Sequence, residues 1–138
     1  MFTGLGGERL WLCPSLNDSA NDISGNGNNG SYQGGLTTII NTDSGGSRAY
    51  NINFTSKYID CGNILDALSQ FTISAWVNRN GRTDATGIAG KWNGTGYMLY
   101  NSTASVAIDA GPHLAGSQLP TYGWEHLTAT YDGTTIRL

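Results

Sequence analysis

Phe71-Thr-Ile-Ser-Ala-Trp-Val-Asn78 alternates apolar and polar residues with only Trp76 breaking the polar series. A period of two places Phe71, Ile73, Ala75 and Val77 on one face of a strand, and Thr72, Ser74, Trp76 and Asn78 on the other. The stretch therefore reads as a half-buried strand over 71–79, with a semi-polar second face that carries one large aromatic. A second strong strand stands downstream over 124–131, and Asp132-Gly133 makes a hairpin turn into a strand over 134–138.

Working outward, Asn80-Gly81 is a turn signal, and strands follow over 87–92, 96–101 and 104–109 before a loop around Gly111-Pro112. Upstream, the apolar residues 9–13 form a strand stopped by Pro14. Residues 17–35 read as one long polar loop, in which Ser24-Gly-Asn-Gly-Asn-Asn-Gly30 suits left-handed backbone and tight turns. Strands over 49–54 and 57–60 are joined by Thr55-Ser56. Ile64, Leu65 and Leu68 fall at helical spacing, which predicts a single short helical turn between 63 and 70. No long helix is predicted. The pattern is an all-β, antiparallel two-sheet jelly-roll sandwich.

Composition agrees. A chain of 138 residues is the size of one domain, expected over 1–138, and buries roughly 70% of its unfolded surface. Charged residues are 12% of the chain, about half the usual share, and there are 20 glycines, which excludes a helical bundle or coiled coil. Four Trp, seven Tyr and three Phe, set largely in strand-like runs, exclude disorder. The net charge is −3 and the seven Lys and Arg stand singly, which argues against nucleic acid and anionic membrane as partners. No apolar run approaches the ~20 residues that span a bilayer. The first residues have neither a basic nor an apolar segment, so no signal peptide is read. Cys13 and Cys61 sit in apolar contexts and read as buried free thiols, with a disulfide across the intervening loop as the other reading.

The series Tyr58-Ile-Asp, Phe71-Thr-Ile-Ser-Ala-Trp-Val, Ile88-Ala-Gly-Lys-Trp92 and Trp124-Glu-His-Leu-Thr-Ala-Thr-Tyr-Asp-Gly133 resembles the laminin-G-like, concanavalin-A-like jelly-roll superfamily. Asn21-Asp-Ile-Ser-Gly-Asn-Gly-Asn-Asn-Gly30 is similar to the opening loop of that family. The resemblance covers the chain from about Leu10 onward. It implies further strands beyond the Asp-Gly hairpin, so the expectation is that C-terminal strands are missing or supplied by a neighbour. It also places Trp11, Trp76 and Trp124 at core positions and implies a structural calcium. Asp18, Asp22, Asn26 and Asn28 crowd one loop with oxygen donors suited to a hard cation, and a loop hydrogen-bonded to itself is the alternative.

Catalysis is not expected. Glu8 and Glu125 are the two glutamates, the eight aspartates are dispersed, and no paired-carboxylate spacing or nucleophile elbow occurs. For ligand binding, Trp92, Asn93, Tyr97 and Tyr100 cluster around a glycine-rich turn as an aromatic platform with an amide, the chemistry that grips sugars; packing is the other reading for Trp92. Five Asn-x-Ser/Thr sequons, at Asn17, Asn29, Asn53, Asn93 and Asn101, carry no weight without a secretion signal. The expected function is a non-catalytic lectin-like binding or adhesion module recognising glycan or another surface ligand. The alternatives are a virion structural protein (a phage head-decoration or tail-appendage subunit) and an accessory domain of a secreted glycoside hydrolase. The expected setting is extracellular or on a virion surface, with a homo-oligomer or capsid and tail proteins as further partners.

Overall fold

The computed structural model describes residues 12, 19–41, 47–52, 56–64, 68–84, 86–92, 96–101, 105–108, 114–116 and 119–138. Among them are eleven strands and no helix: β1 Ser31–Gln33, β2 Thr37–Asn41, β3 Ser47–Asn51, β4 Tyr58–Asp60, β5 Phe71–Asn78, β6 Gly87–Trp92, β7 Gly96–Tyr100, β8 Ser105–Ile108, β9 Leu114–Ala115, β10 Trp124–Tyr131 and β11 Ile136–Arg137. All paired strands run antiparallel. The chain divides into two compact units, Met1–Ile64 and Leu65–Leu138.

The second unit is a two-sheet sandwich. One sheet has the order β11-β10-β5, the other β6-β7-β8-β9. β5 and β10 pair along their whole length, from Phe71 opposite Tyr131 to Asn78 opposite Trp124. The alternation read in the sequence sets which way they face. Ile73 and Val77 from β5, Leu127 and Ala129 from β10 and Ile136 from β11 pack with Leu99 of β7 and Ile88 of β6. Phe71 continues the same interior, its ring 4.6 Å from that of Tyr97 and 5.6 Å from that of Tyr131. Leu99 is fully enclosed, at 0% exposure.

The Asp132-Gly133 hairpin forms as expected, with Tyr131 opposite Ile136. Asp132 organises it. Its carboxylate accepts hydrogen bonds from Arg137 Nη1 at 2.7 Å, from the backbone amides of Thr134 and Thr135, and from the Thr134 hydroxyl. Led by Arg137, these donors hold the Asp132 carboxyl well below the ordinary carboxylate range. A carboxyl whose folded pKa is lowered stabilises the fold above its unfolded value of about 3.9, and that contribution disappears as pH falls below it. NMR titration of the Asp132 carboxyl should therefore give a midpoint below that of a model aspartate. A midpoint at the model value would show that the turn does not hold this geometry in solution.

In the first unit, β1 pairs with β4 and β2 with β3. Tyr32 of β1 meets Tyr50 of β3 edge-to-face at 6.1 Å, and the Tyr50 hydroxyl donates to Ser19 O at 2.8 Å. The expected polar loop over 17–35 in fact ends in β1, because β4 supplies a partner almost thirty residues downstream, with Ser31 opposite Asp60. Gly30 explains why the loop closes so tightly: a Cβ there would overlap Ile59 and press on Ala20 and the Cys61 sulfur. Cys61 is a half-buried free thiol, and burial, followed by the Asp60 and Asp22 carboxylates, pushes its pKa up. Of the strand expected over 9–13, Leu12 is described and bridges Asp22; Cys13 lies outside the described residues. The strand expected over 49–54 occupies Ser47–Asn51 instead, since pairing with β2 sets its bounds. Of the helical turn expected between 63 and 70, residues 65–67 lie outside the described residues, and 63–64 and 68–70 are not helical.

Candidate functional site

The outward face of the β11-β10-β5 sheet is built from the residues that alternation turns away from the core. Directly opposed pairs cross it: Thr72 with Thr130, Ser74 with Thr128, Trp76 with His126. Two residues along a strand advance about 6.7 Å, so these three rungs span roughly 13 Å of open sheet. Ser74 Oγ lies 2.8 Å from His126 Nε2 and 3.2 Å from Thr128 Oγ1. The imidazole of His126 tilts against the indole of Trp76, with centroids 5.0 Å apart. Trp76 is nonetheless 65% exposed. A large apolar ring, braced on one side and presented to water beside the hydroxyls of Ser74 and Thr128, is a ready stacking surface. At the end of the same sheet Tyr122 is 72% exposed, its ring lying over Gly81.

This corrects the core position that the resemblance gives Trp76. Strand alternation had already put it on the semi-polar face, and the structure follows the alternation. Trp124, opposite Asn78, is half-buried; Trp11 lies outside the described residues. His126 and Ser74 are fifty-two positions apart in the chain, so no local motif joined them. Pairing β5 with β10 in register does.

The platform expected around residues 92–100 is brought together only in part. Trp92 ends β6 opposite Gly96, and Asn93 lies outside the described residues. Tyr97 and Tyr100 sit on β7 three residues apart, hence on opposite faces. Tyr97 shares the inward side with Leu99 and stacks on Phe71, so it serves the core. Tyr100, opposite Gly87 and Ser105, is on the other side.

In the loop expected to hold calcium, Asp22 is the hub. Its Oδ1 accepts the Ser24 amide and its Oδ2 the Asn28 amide, each at 2.9 Å. The Asp22 amide in turn donates to Asn29 Oδ1, and Asn26 Nδ2 donates to Ser24 Oγ. Asp18 lies outside the described residues. The described donors therefore give one carboxylate, with both oxygens already accepting amide hydrogens, where a calcium ion takes six to eight oxygens. That arrangement fits the self-bonded loop better than a cation cage.

Among the described residues no helix is long and apolar enough to cross a membrane. No curated protein and no solved structure matches the chain. A family model does: the laminin-G-type model of the concanavalin A-like lectin/glucanases superfamily matches residues 53–138. Those residues include the paired strands β5 and β10 and both sheets of the second unit. With more than half its length matched and its strands laid out as an antiparallel sandwich, this chain belongs to the concanavalin A-like lectin/glucanase superfamily, a membership that suggests a carbohydrate-binding or adhesion-type module.

Proposed function

We propose that this chain is a non-catalytic, lectin-like module that holds a glycan against the outward face of the β11-β10-β5 sheet. The exposed Trp76 carries this reading. The C–H face of a sugar ring stacks on an indole, while its hydroxyls take hydrogen bonds from neighbouring polar groups. Ser74, Thr128 and His126 supply those groups within one or two rungs. Ser74 and His126 also have the spacing of a nucleophile and its base. Two features favour binding over catalysis: Ser74 Oγ is shared with Thr128, and the backbone amides around it belong to the sheet ladder rather than to an oxyanion hole. An extracellular or virion-surface setting goes with this reading.

The test is a glycan and polysaccharide array, with and without calcium, followed by titration of the best neutral ligand against wild type and Trp76→Ala. Loss of a central aromatic anchor costs roughly 2 kcal/mol or more, so affinity should fall about 30-fold while the melting temperature barely moves. Unchanged affinity in the variant would remove this face as the site.

A second reading, an assembling subunit of a virion exterior, has one observation in its favour. Ile39 and Ile40, adjacent on β2, are both exposed, which puts apolar surface on both faces of the β2–β3 ribbon. Light scattering that shows a concentration-independent oligomer favours it, and a monomer at high concentration overturns it.

A further inference from the structure

Arg79 follows β5 directly and is 4% exposed, the one buried charged side chain among the described residues. Its Nη1 donates to Leu119 O at 3.0 Å. Two residues on, the Gly81 amide donates to Thr121 O at 2.9 Å. These two bonds close a seam between the turn at 79–81 and the segment 119–121. Inside it, Arg79 Nε and Nη2 are shielded from solvent and have no hydrogen-bond partner among the described residues.

Those two atoms are not an arbitrary pair. Nε–H and Nη2–H lie on the same edge of a planar guanidinium and point in parallel, the fork that takes two oxygens of one anion. The same turn shows the filled version. Arg82 grips Asp84 through this edge, Nε to Oδ1 at 3.0 Å and Nη2 to Oδ2. With both its oxygens so engaged, Asp84 does not close the fork of Arg79, although it is near enough for the Arg79 charge to help lower its pKa, after the larger effect of Arg82. A buried guanidinium with one neutral carbonyl as its acceptor and two donors left over is costly, since those donors lose hydration without a hydrogen bond in exchange. A water molecule would supply an acceptor but no compensating charge.

We propose that the seam over Arg79 is a binding site for an anion with two adjacent oxygens, a carboxylate or a sulfate, held bidentately by Nε and Nη2. An anion held there sits out of water, where a charge-assisted pair is strongest. The site is separate from the Trp76 face and does not depend on it.

The test is thermal unfolding with sodium glucuronate and, separately, sodium sulfate, against glucose and chloride at matched ionic strength. Wild type should show a saturable rise in melting temperature, on the order of 10 °C at about 100-fold the dissociation constant. Arg79→Lys keeps the charge but loses the parallel donors, and the rise should require at least 10-fold more anion. Trp76→Ala should keep the wild-type rise, so this site stands or falls independently of glycan stacking. A response to glucuronate alone assigns an acidic sugar or other organic acid; a response to both admits a sulfate group. No saturable rise with either anion, or an undiminished rise in Arg79→Lys, would overturn the proposal. Should that variant not fold, the Arg Nε–Hε resonance of the wild-type protein provides the readout: it must shift saturably with the anion, and an unmoved resonance overturns the site.

Discussion

Leu99→Ala is expected to lower stability by about 2–5 kcal/mol, since Leu99 is the largest fully buried side chain among the described residues. Leu99 is completely enclosed, and it sits where side chains from both sheets converge: Ile73 and Val77 of β5, Leu127 and Ala129 of β10, Ile88 of β6. Removing its isobutyl group forfeits the transfer energy of those carbons and leaves a void that the strands on either side resist filling, because their backbones are fixed by ladder hydrogen bonds. The melting temperature should fall on the order of 10 °C. Leu99→Met, which nearly conserves volume, should cost under about 1.5 kcal/mol. Ile40→Ala on exposed β2 should change stability within about 0.5 kcal/mol. Urea unfolding of the three variants checks the ranking; Leu99→Ala no worse than Ile40→Ala would mean that the two sheets do not meet at Leu99.

Gly90→Ala should cost roughly 1–3 kcal/mol for the opposite reason, overpacking. Gly90 faces Met98 across β6 and β7, and a Cβ there would overlap the carbonyl oxygen of Tyr97, stand 2.7 Å from Met98 Cα and 3.0 Å from Met98 Sδ. The Met98 side chain is able to swing away. The two backbone atoms are not, since they belong to a strand paired on both sides. Relief therefore requires β6 to lift from β7, beside the register shift between Gly87 and Ala89. Gly123→Ala separates this wedge from ordinary glycine strain: its φ is +96° but nothing lies near the added carbon, so only the backbone cost of order 1 kcal/mol applies. Equal losses in the two variants would show that close approach at Gly90 is not what its glycine serves.

Much of the site was legible in the sequence, but under a different heading. The alternation of 71–78 placed Thr72, Ser74 and Trp76 on one face, and the sheet confirms it pair by pair. The family resemblance pulled Trp76 back into the core, because its position in the strand motif matches a core position of the family. The cluster at 92–100 looked like a platform because its aromatics are close in sequence. Yet on a strand, residues three apart face opposite ways, and Tyr97 went to the interior against Phe71.

The sequence by itself determined the class of fold, the inward and outward faces of β5, the Asp132-Gly133 hairpin and the family. Each of these depends on local period, turn chemistry or motif order, and a chain carries all three without knowing its neighbours. Only the tertiary structure decided that β5 pairs with β10 so that Ser74 meets His126, that residues 31–33 form a strand with β4, and that Arg79 is buried with two donors unmatched. Those outcomes rest on pairings between segments some 25 to 60 positions apart and on exclusion of water from a closed seam. Neither quantity is a property of any stretch of chain taken alone.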